Sequence, residues 1–244
     1  PWVEPVNMDE IPFAYEDLKD FNHKIIYYES SRGCPFRCSY CLSSIDKRVR
    51  FRSLPLVEKE LQIFLDAQVP QVKFVDRTFN CNPKRTVELL QWILEHDNGI
   101  TNFHFEIAAD ITTEEELAIM EKMRPGLIQL EIGVQSTNPK TVEAIHRTMD
   151  LKKLEKVVSR VKSFGNIHQH LDLIAGLPYE DVNSFQKSFD DVYAMRPDQL
   201  QLGFLKVLKG SGMREDAPGY GINWHERAPY EVLTTDWLSY GDVL

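Results

Sequence analysis

The chain has 244 residues, 43% hydrophobic and 11% aromatic, with a formal net charge of −9. This composition suits one large α/β domain or two small ones, and the acidic balance argues against a general nucleic-acid surface, because phosphate binding needs excess lysine and arginine. No apolar run approaches the ~20 residues of a membrane helix. Four cysteines, three of them clustered, do not form a disulfide framework, so we expect the reducing cytoplasm.

Two stretches lie outside the regular pattern of strands and helices. Residues 1–24 are rich in proline and acidic residues and are predicted to be an extended linker from a further N-terminal domain. We expect a core at 25–215, followed by a C-terminal extension at 216–244 that begins another segment. The basic stretch 47–52 is either a local binding patch or a solvated loop.

Between these ends, strands alternate with helices. The predicted strands are 25–31, 71–76, 103–108, 127–134, 167–174 and 199–207. The predicted helices are 56–65, one opened by Pro83, one capped by Thr113, 138–146, 151–164 and 180–195. Such alternation predicts a parallel sheet with right-handed crossovers, either a partial (βα)6 TIM-like barrel or a doubly wound sheet. The pattern does not separate them; we expect the α/β partial barrel. Both place ligands at the carboxyl ends of the strands.

A cluster of cysteines follows the first strand. Cys34, Cys38 and Cys41 have the spacing C-x3-C-x2-C, and three thiolates so close together can converge on one metal centre. Iron–sulfur clusters commonly take four cysteines and structural zinc four protein ligands, but the next cysteine, Cys81, comes 40 residues later. The residues therefore leave open a cluster with one free iron, a zinc site or a redox disulfide.

This spacing, with Tyr40 before the third cysteine, resembles the signature of the radical S-adenosylmethionine (radical SAM) superfamily. The resemblance implies that the three cysteines hold a 4Fe–4S cluster, and that the amino and carboxylate groups of S-adenosylmethionine chelate the fourth iron. Tyr40 would lie at this cofactor site. The reduced cluster would cleave the sulfonium to methionine and a 5′-deoxyadenosyl radical, which abstracts a hydrogen atom from a substrate.

The segment after strand two indicates the branch of the superfamily. Asp76-Arg77-Thr78-Phe79 resembles the Asp-x-x-Phe variant found in methylthiotransferases and cobalamin-dependent members. Many relatives have Gly-Gly-Glu there, whose backbone receives the methionine amino group, so that contact stays unassigned. Cys81 is interpreted as a bystander thiol.

Polar residues at the later strand ends complete the expected site. Family resemblance implies that Glu106 binds the ribose hydroxyls of S-adenosylmethionine. Gly133-x-Gln135-Ser136 resembles the Gly-x-Gln-Ser element of the same branch. An arginine at the position of Arg147 pairs with the carboxylate of S-adenosylmethionine in relatives such as oxygen-independent coproporphyrinogen III oxidase. The fork of an arginine suits a carboxylate.

Strand five ends in a segment similar to the family's Asp-Leu-Ile-x-Gly-Leu-Pro. The resemblance makes Asp172 a candidate for the polar edge of the ligand and places backbone near Ile174 against the adenine. The glycine-rich stretch 210–221 is predicted to be a mobile loop over the site. Trp224, His225 and Tyr230 are expected to pack rather than bind substrate.

The resemblance implies a radical SAM enzyme of the oxidoreductase type, acting on an unidentified small molecule. It implies an electron donor such as flavodoxin or ferredoxin, and it allows cobalamin only through a domain outside this chain. One alternative is a transfer-RNA methylthiotransferase-like enzyme, which the acidic charge disfavours. Another is a non-catalytic metal-binding module, which leaves Glu106, Gln135, Arg147 and Asp172 unexplained.

Overall fold

The structure is a computed structural model that describes residues 6–15, 17–21, 24–46 and 48–244. Residues 1–5, 16, 22 and 23 of the predicted linker, and Lys47 of the basic stretch, lie outside the described residues. None of the helices in the described ranges is both long and apolar enough to cross a bilayer.

The first half of the chain contains β1 (Ile26–Tyr28), β2 (Ser31–Arg32), β3 (Arg50–Phe51), α1 (Leu54–Asp66), β4 (Gln71–Phe74), α2 (Pro83–Glu95), β5 (Asn102–Ile107) and α3 (Glu114–Met120). The second half contains β6 (Ile128–Gln135), α4 (Pro139–Ala144), α5 (Leu151–Phe164), β7 (His168–Ala175), α6 (Val182–Ala194), β8 (Gln199–Phe204), α7 (Gly212–Asp216), β9 (Asn223–Trp224), β10 (Val232–Thr234) and α8 (Tyr240–Val243). The local signals work as expected: Pro83 opens α2, Thr113 caps α3 in a capping box with Glu116, and Gly165 ends α5 with a left-handed backbone.

The main sheet has six parallel strands in the order β1-β4-β5-β6-β7-β8. Spatial order follows chain order, so every crossover advances in the same direction. Right-handed crossovers then place all the helices on one side of the sheet, whereas a doubly wound sheet reverses direction and is covered on both faces. The partial (βα)6 TIM-like barrel is confirmed, and the doubly wound alternative is excluded.

The two faces of this sheet differ in chemistry, because successive side chains of a strand point to opposite faces. The outer face joins the helices in one core, with Phe74, Phe103 and Phe105 fully buried. The inner face is polar. Its residues on β4 to β7 are Lys73, His104, Glu106, Gln129, Glu131, Gly133, Gln135, His170 and Asp172. Ordinary TIM barrels fill this space with branched apolar residues. The polar side chains found here instead make the inner face suitable for binding a polar ligand.

The predicted mobile loop at 210–221 is instead helical. Residues 212–216 form α7, a 3-10 turn follows at 217–220, and Met213 is fully buried. Met213 belongs to a second, smaller core with Leu177 and Val232, against which Trp224 packs. Burial of this apolar side chain outweighs the flexibility that the neighbouring glycines suggest.

Near the N-terminus, strand one is shorter than predicted, because the chain leaves β1 at Tyr28 and pairs β2 with β3. The described part of 1–24 packs on the main core through Phe13 and Tyr15, which both contact Phe64. The basic stretch is largely committed to internal contacts: Arg52 is buried against Glu60 at 3.0 Å, and Arg50 pairs with Asp46.

Candidate active site

A cavity opens at the carboxyl ends of the strands. Of the residues expected in the site, Tyr40, the three motif cysteines, Glu106, Gln135, Arg147 and Asp172 all line it. Ile174 does not; its side chain is half-buried against the second core, so any contact there would have to come from its backbone. Cys81 is also absent from the lining, and burial raises its thiol pKa to about 11.

The cysteine loop presents its three thiols to this cavity. All are free, Cys34 and Cys38 are buried, and Thr78 Oγ1 lies 3.5 Å from Cys34 Sγ. Within the described ranges no three His, Cys, Asp or Glu side chains are spaced to hold a single metal ion. A 4Fe–4S cluster needs a wider spacing, since each cysteine binds a different iron atom. The shared cavity and the soft sulfur donors therefore fit a cluster.

Arg147 joins the cysteine loop to the strand ends. Its Nη1 lies 3.3 Å from the Tyr40 hydroxyl and 3.7 Å from Cys38 Sγ, and its Nη2 donates to the carbonyl of Gly133. Its Nε is buried, and no hydrogen-bond partner for it is found among the described residues. A buried guanidinium beside the thiols places a fixed positive charge at the cavity wall, which suits a carboxylate ligand.

Gln135 has an unusual backbone at the end of β6. Its φ of 72° lies in the left-handed region, which is costly for a residue with a side chain. A Cβ on Gly133 would lie 2.3 Å from Nε2 of Gln135, so this glycine makes room for the amide. Oε1 of Gln135 is buried, and within the part of the chain that the structure describes it has no hydrogen-bond partner, which leaves an acceptor for a ligand hydroxyl or amine.

A buried acid, Glu180, stabilises the strained turn at Gln135. Glu180 is fully buried and accepts hydrogen bonds from Ser136 at 2.6 Å and Ser188 at 3.0 Å. The sequence suggests that Glu180 is a charge at the start of a helix, whereas α6 is capped by Asp181. Glu180 instead fixes the residue that follows Gln135.

Four carboxylates line the cavity: Glu106, Asp110, Glu131 and Asp172. Burial, followed by the charge of Glu131, raises the pKa of Glu106. Burial, followed by Glu131 and Glu106, raises the pKa of Asp172 to about 7. Oδ1 of Asp172 lies 3.0 Å from His170 Nε2, yet the ring N–H is not aligned for a hydrogen bond. The cavity thus holds carboxylate acceptors that lack an aligned donor.

Glu131 has two close basic neighbours. Its Oε2 lies 2.9 Å from His104 Nε2 and 2.8 Å from Lys73 Nζ, and these contacts lower its pKa to about 2. Gln71 donates to Oε1 of Gln129 at 3.3 Å, which turns the Gln129 amide nitrogen toward His104 Nδ1 at 3.0 Å. His104 is buried but belongs to this polar inner face.

Sequence reasoning overlooked Lys73, Glu131 and His170. A usable signal existed in β6, where Gln129, Glu131, Gly133 and Gln135 occupy every second position. Arg77 and Thr78 of the Asp-x-x-Phe segment also line the cavity, but Asp76 does not.

The fold and the cavity together define a class: a partial parallel barrel with three free cysteines facing polar strand ends. The family model of the Radical SAM superfamily matches residues 28–192, which is more than half of the chain. The chain therefore belongs to the radical SAM superfamily.

Relatives are consistent with this assignment. An uncharacterised methyltransferase of Pyrococcus horikoshii is 28% identical over 97% of this chain and 51% of its own length. Oxygen-independent coproporphyrinogen III oxidase of Salmonella typhimurium is 25% identical over 75% of this chain and 39% of its own length. This chain thus spans about half or less of each.

Among solved structures, the radical S-adenosylmethionine methyltransferase TsrM of Kitasatospora setae, determined with cobalamin and a 4Fe–4S cluster, superposes with a TM-score of 0.73. That match covers 85% of this chain and 43% of TsrM at 17% identity, which shows the fold alone. Membership of the superfamily makes the chain an enzyme domain whose cofactors are a 4Fe–4S cluster and S-adenosylmethionine. The non-catalytic module and the methylthiotransferase are not favoured.

Proposed function

We propose that Cys34, Cys38 and Cys41 hold the cluster, and that the strand-end residues hold S-adenosylmethionine beside it. One observation carries the proposal: the three thiols line the same cavity as four polar side chains from segments far apart in sequence. These are Glu106, Gln135, Arg147 and Asp172. When bound and reduced, the cluster supplies the electron that cleaves S-adenosylmethionine and begins radical chemistry.

Each side chain has a role that its surroundings support. Arg147, buried beside Tyr40 and Cys38, orients the carboxylate of S-adenosylmethionine through its guanidinium fork. Glu106 and Asp172 supply carboxylate acceptors for hydroxyl groups, and Gln135 adds its free Oε1. The backbone near Ile174 borders the adenine. Burial of these groups excludes water, which strengthens each polar contact.

Methyl transfer to a small molecule is the reaction that the relatives favour, since a similar chain is called a methyltransferase and TsrM is one. Cobalamin would then be supplied by a domain N-terminal to this core, joined through residues 1–24, with a further segment from 216 onward. A one-electron donor such as flavodoxin or ferredoxin would reduce the cluster. The four free cysteines support the cytoplasm as the compartment.

The first test is anaerobic reconstitution with iron and sulfide, followed by reduction, addition of S-adenosylmethionine and an assay for 5′-deoxyadenosine. The wild-type chain is expected to bind the cluster and form the product. Cys38→Ala is expected to abolish both. Cys81→Ala is the matched control, because its thiol does not line the cavity, and it should behave as wild type.

Two results would contradict the proposal. One is a Cys38→Ala variant that retains the full cluster content. The other is a Cys81→Ala variant that loses the cluster as completely as Cys38→Ala, which would show that the assignment of ligands is wrong.

A further inference from the structure

Asp76, at the end of β4, has a buried carboxylate that faces away from the cavity and toward the start of the cysteine loop. It is 1% exposed. Its Oδ1 accepts a hydrogen bond from the backbone N–H of Ser30 at 2.7 Å, and its Oδ2 accepts from the hydroxyls of Ser30 at 2.6 Å and Ser31 at 2.7 Å. Burying a carboxylate is costly without partners, and here the three side-chain and backbone donors come from two consecutive residues.

The same two serines are held from other directions. The carbonyl of Ser30 accepts the N–H of Arg52 at 2.9 Å and Nη2 of Arg85 at 3.4 Å. Ser31 pairs with Phe51 in the short β2–β3 ladder. The chain is therefore fixed three residues before Cys34.

A second anchor lies inside the cysteine loop. The N–H of Ser39 donates to the carbonyl of Ile145 at 2.9 Å, and the carbonyl of Ser39 accepts the N–H of Met213 at 2.8 Å. Cys34 and Cys38 lie between the two anchors in sequence. Ordering a residue costs conformational entropy, so a loop that is already ordered binds a cluster without that cost.

We propose that Asp76 is a positioning residue for the cluster: by fixing Ser30 and Ser31, it holds Cys34 where a cluster shared with Cys38 and Cys41 requires it. This inference rests on the proposed function, since it needs the cluster at these cysteines. It also gives the first residue of the Asp-x-x-Phe segment a role that does not involve contact with S-adenosylmethionine. Asparagine replaces it only in part: its oxygen can still accept the backbone N–H of Ser30, but its amide nitrogen then lies where Oδ2 accepts the two serine hydroxyls, which lose that acceptor.

The test compares reconstituted wild type, Asp76→Asn, Ser31→Ala and Glu116→Gln. Glu116 is fully buried in the capping box of α3, so its exchange controls for the loss of any buried acid, and glutamine still serves a capping box. Three quantities are measured anaerobically: iron and sulfide per chain, the rate at which excess chelator removes the cluster, and the electron paramagnetic resonance spectrum of the reduced cluster. Circular dichroism checks that each variant is folded.

We expect Asp76→Asn to lose its cluster on the order of tenfold faster than wild type, with a changed resonance spectrum. Ser31→Ala, which removes one donor and adds no atoms, should lose it about threefold faster, and it decides the matter if Asp76→Asn does not fold. Glu116→Gln should stay within about twofold of wild type. The inference is overturned if Ser31→Ala and any folded Asp76→Asn match wild type, or if Glu116→Gln is as labile as Asp76→Asn. A wild-type chain that takes up no cluster would overturn the proposed function as well.

Discussion

The outer and inner faces of the sheet share the same strands but carry opposite chemistry. On β5, Phe105 points outward, is fully buried and stacks on Phe79 with ring centroids 4.0 Å apart. The next residue, Glu106, points inward, and no hydrogen bond to its carboxylate is seen within the described ranges. Stability is concentrated on the outer face and ligand-binding potential on the inner face. Predictions about each face should therefore differ in sign as well as size.

The largest effect is expected from Phe105→Ala. Removing a fully buried phenylalanine ring should lower the free energy of unfolding by about 3–5 kcal/mol. Glu106→Gln, one residue away on the opposite face, is the matched control and should change it by less than ~1 kcal/mol. Urea denaturation measures both. Glu106→Gln should weaken the binding of S-adenosylmethionine to reconstituted, folded protein more than Phe105→Ala does. Equal losses of stability in the two variants would show that the two faces do not differ.

The next effect should have the opposite sign. The pKa of Asp172 is raised from its ordinary 3.8 to about 7, so the folded state binds this proton more tightly than the unfolded state. The group therefore stabilises the fold at low pH, and that contribution is lost as pH rises from about 4 to 7. Asp172→Asn has no carboxyl group to titrate at this position, so its stability should not fall with pH for this reason.

At pH 8 we expect Asp172→Asn, without cofactors, to be more stable than wild type by on the order of 4 kcal/mol, because the pKa is raised from 3.8 to about 7 and each pH unit corresponds to ~1.4 kcal/mol. The advantage should shrink toward pH 4. Urea denaturation at several pH values measures it, and an advantage that does not vary with pH would show that Asp172 is not held protonated by its surroundings.

Local signals in the sequence were enough to predict strands that alternate with helices in a parallel sheet, but not to separate the barrel from a doubly wound sheet. Thr113, Pro83 and Gly165 act within one turn of their own residues, and the strand-end rule brought Glu106, Gln135 and Asp172 to one cavity. The strand order explains why these residues meet, whereas the roles expected of them came from the resemblance to the radical SAM superfamily.

What could not be predicted depends on contacts between distant segments. Glu131 meets Lys73 across 58 residues, and Asp76 meets Ser30 across 46. Both contacts depend on the register of the parallel strands. The hydrophobic pattern indicates which face of each strand is buried, but it does not give this register. Met213 was missed because its neighbours, Gly210 and Gly212, suggest flexibility, while the burial that orders it involves Leu177 and Val232.

The smallest effect tests whether an ion pair on the inner face differs from one on the helical surface. Lys73→Met leaves Glu131 without its lysine, and we expect a loss of about 1–2 kcal/mol at pH 7, below the 3–5 of a fully buried pair, because both side chains are about one-fifth exposed. The pKa of Glu131 is lowered from 4.5 to about 2, so this stabilisation is present above pH 4.5 and is lost as pH falls toward 2.

The difference between Lys73→Met and wild type should therefore narrow between pH 7 and pH 3. Lys187→Met is the matched control, because its pair with Asp191 is exposed on α6 and should contribute less than ~0.5 kcal/mol. Urea denaturation at the two pH values separates them. If both lysines contributed equally at pH 7, the inner face would be as well solvated as the helical surface, and its carboxylates would have no special affinity for a ligand.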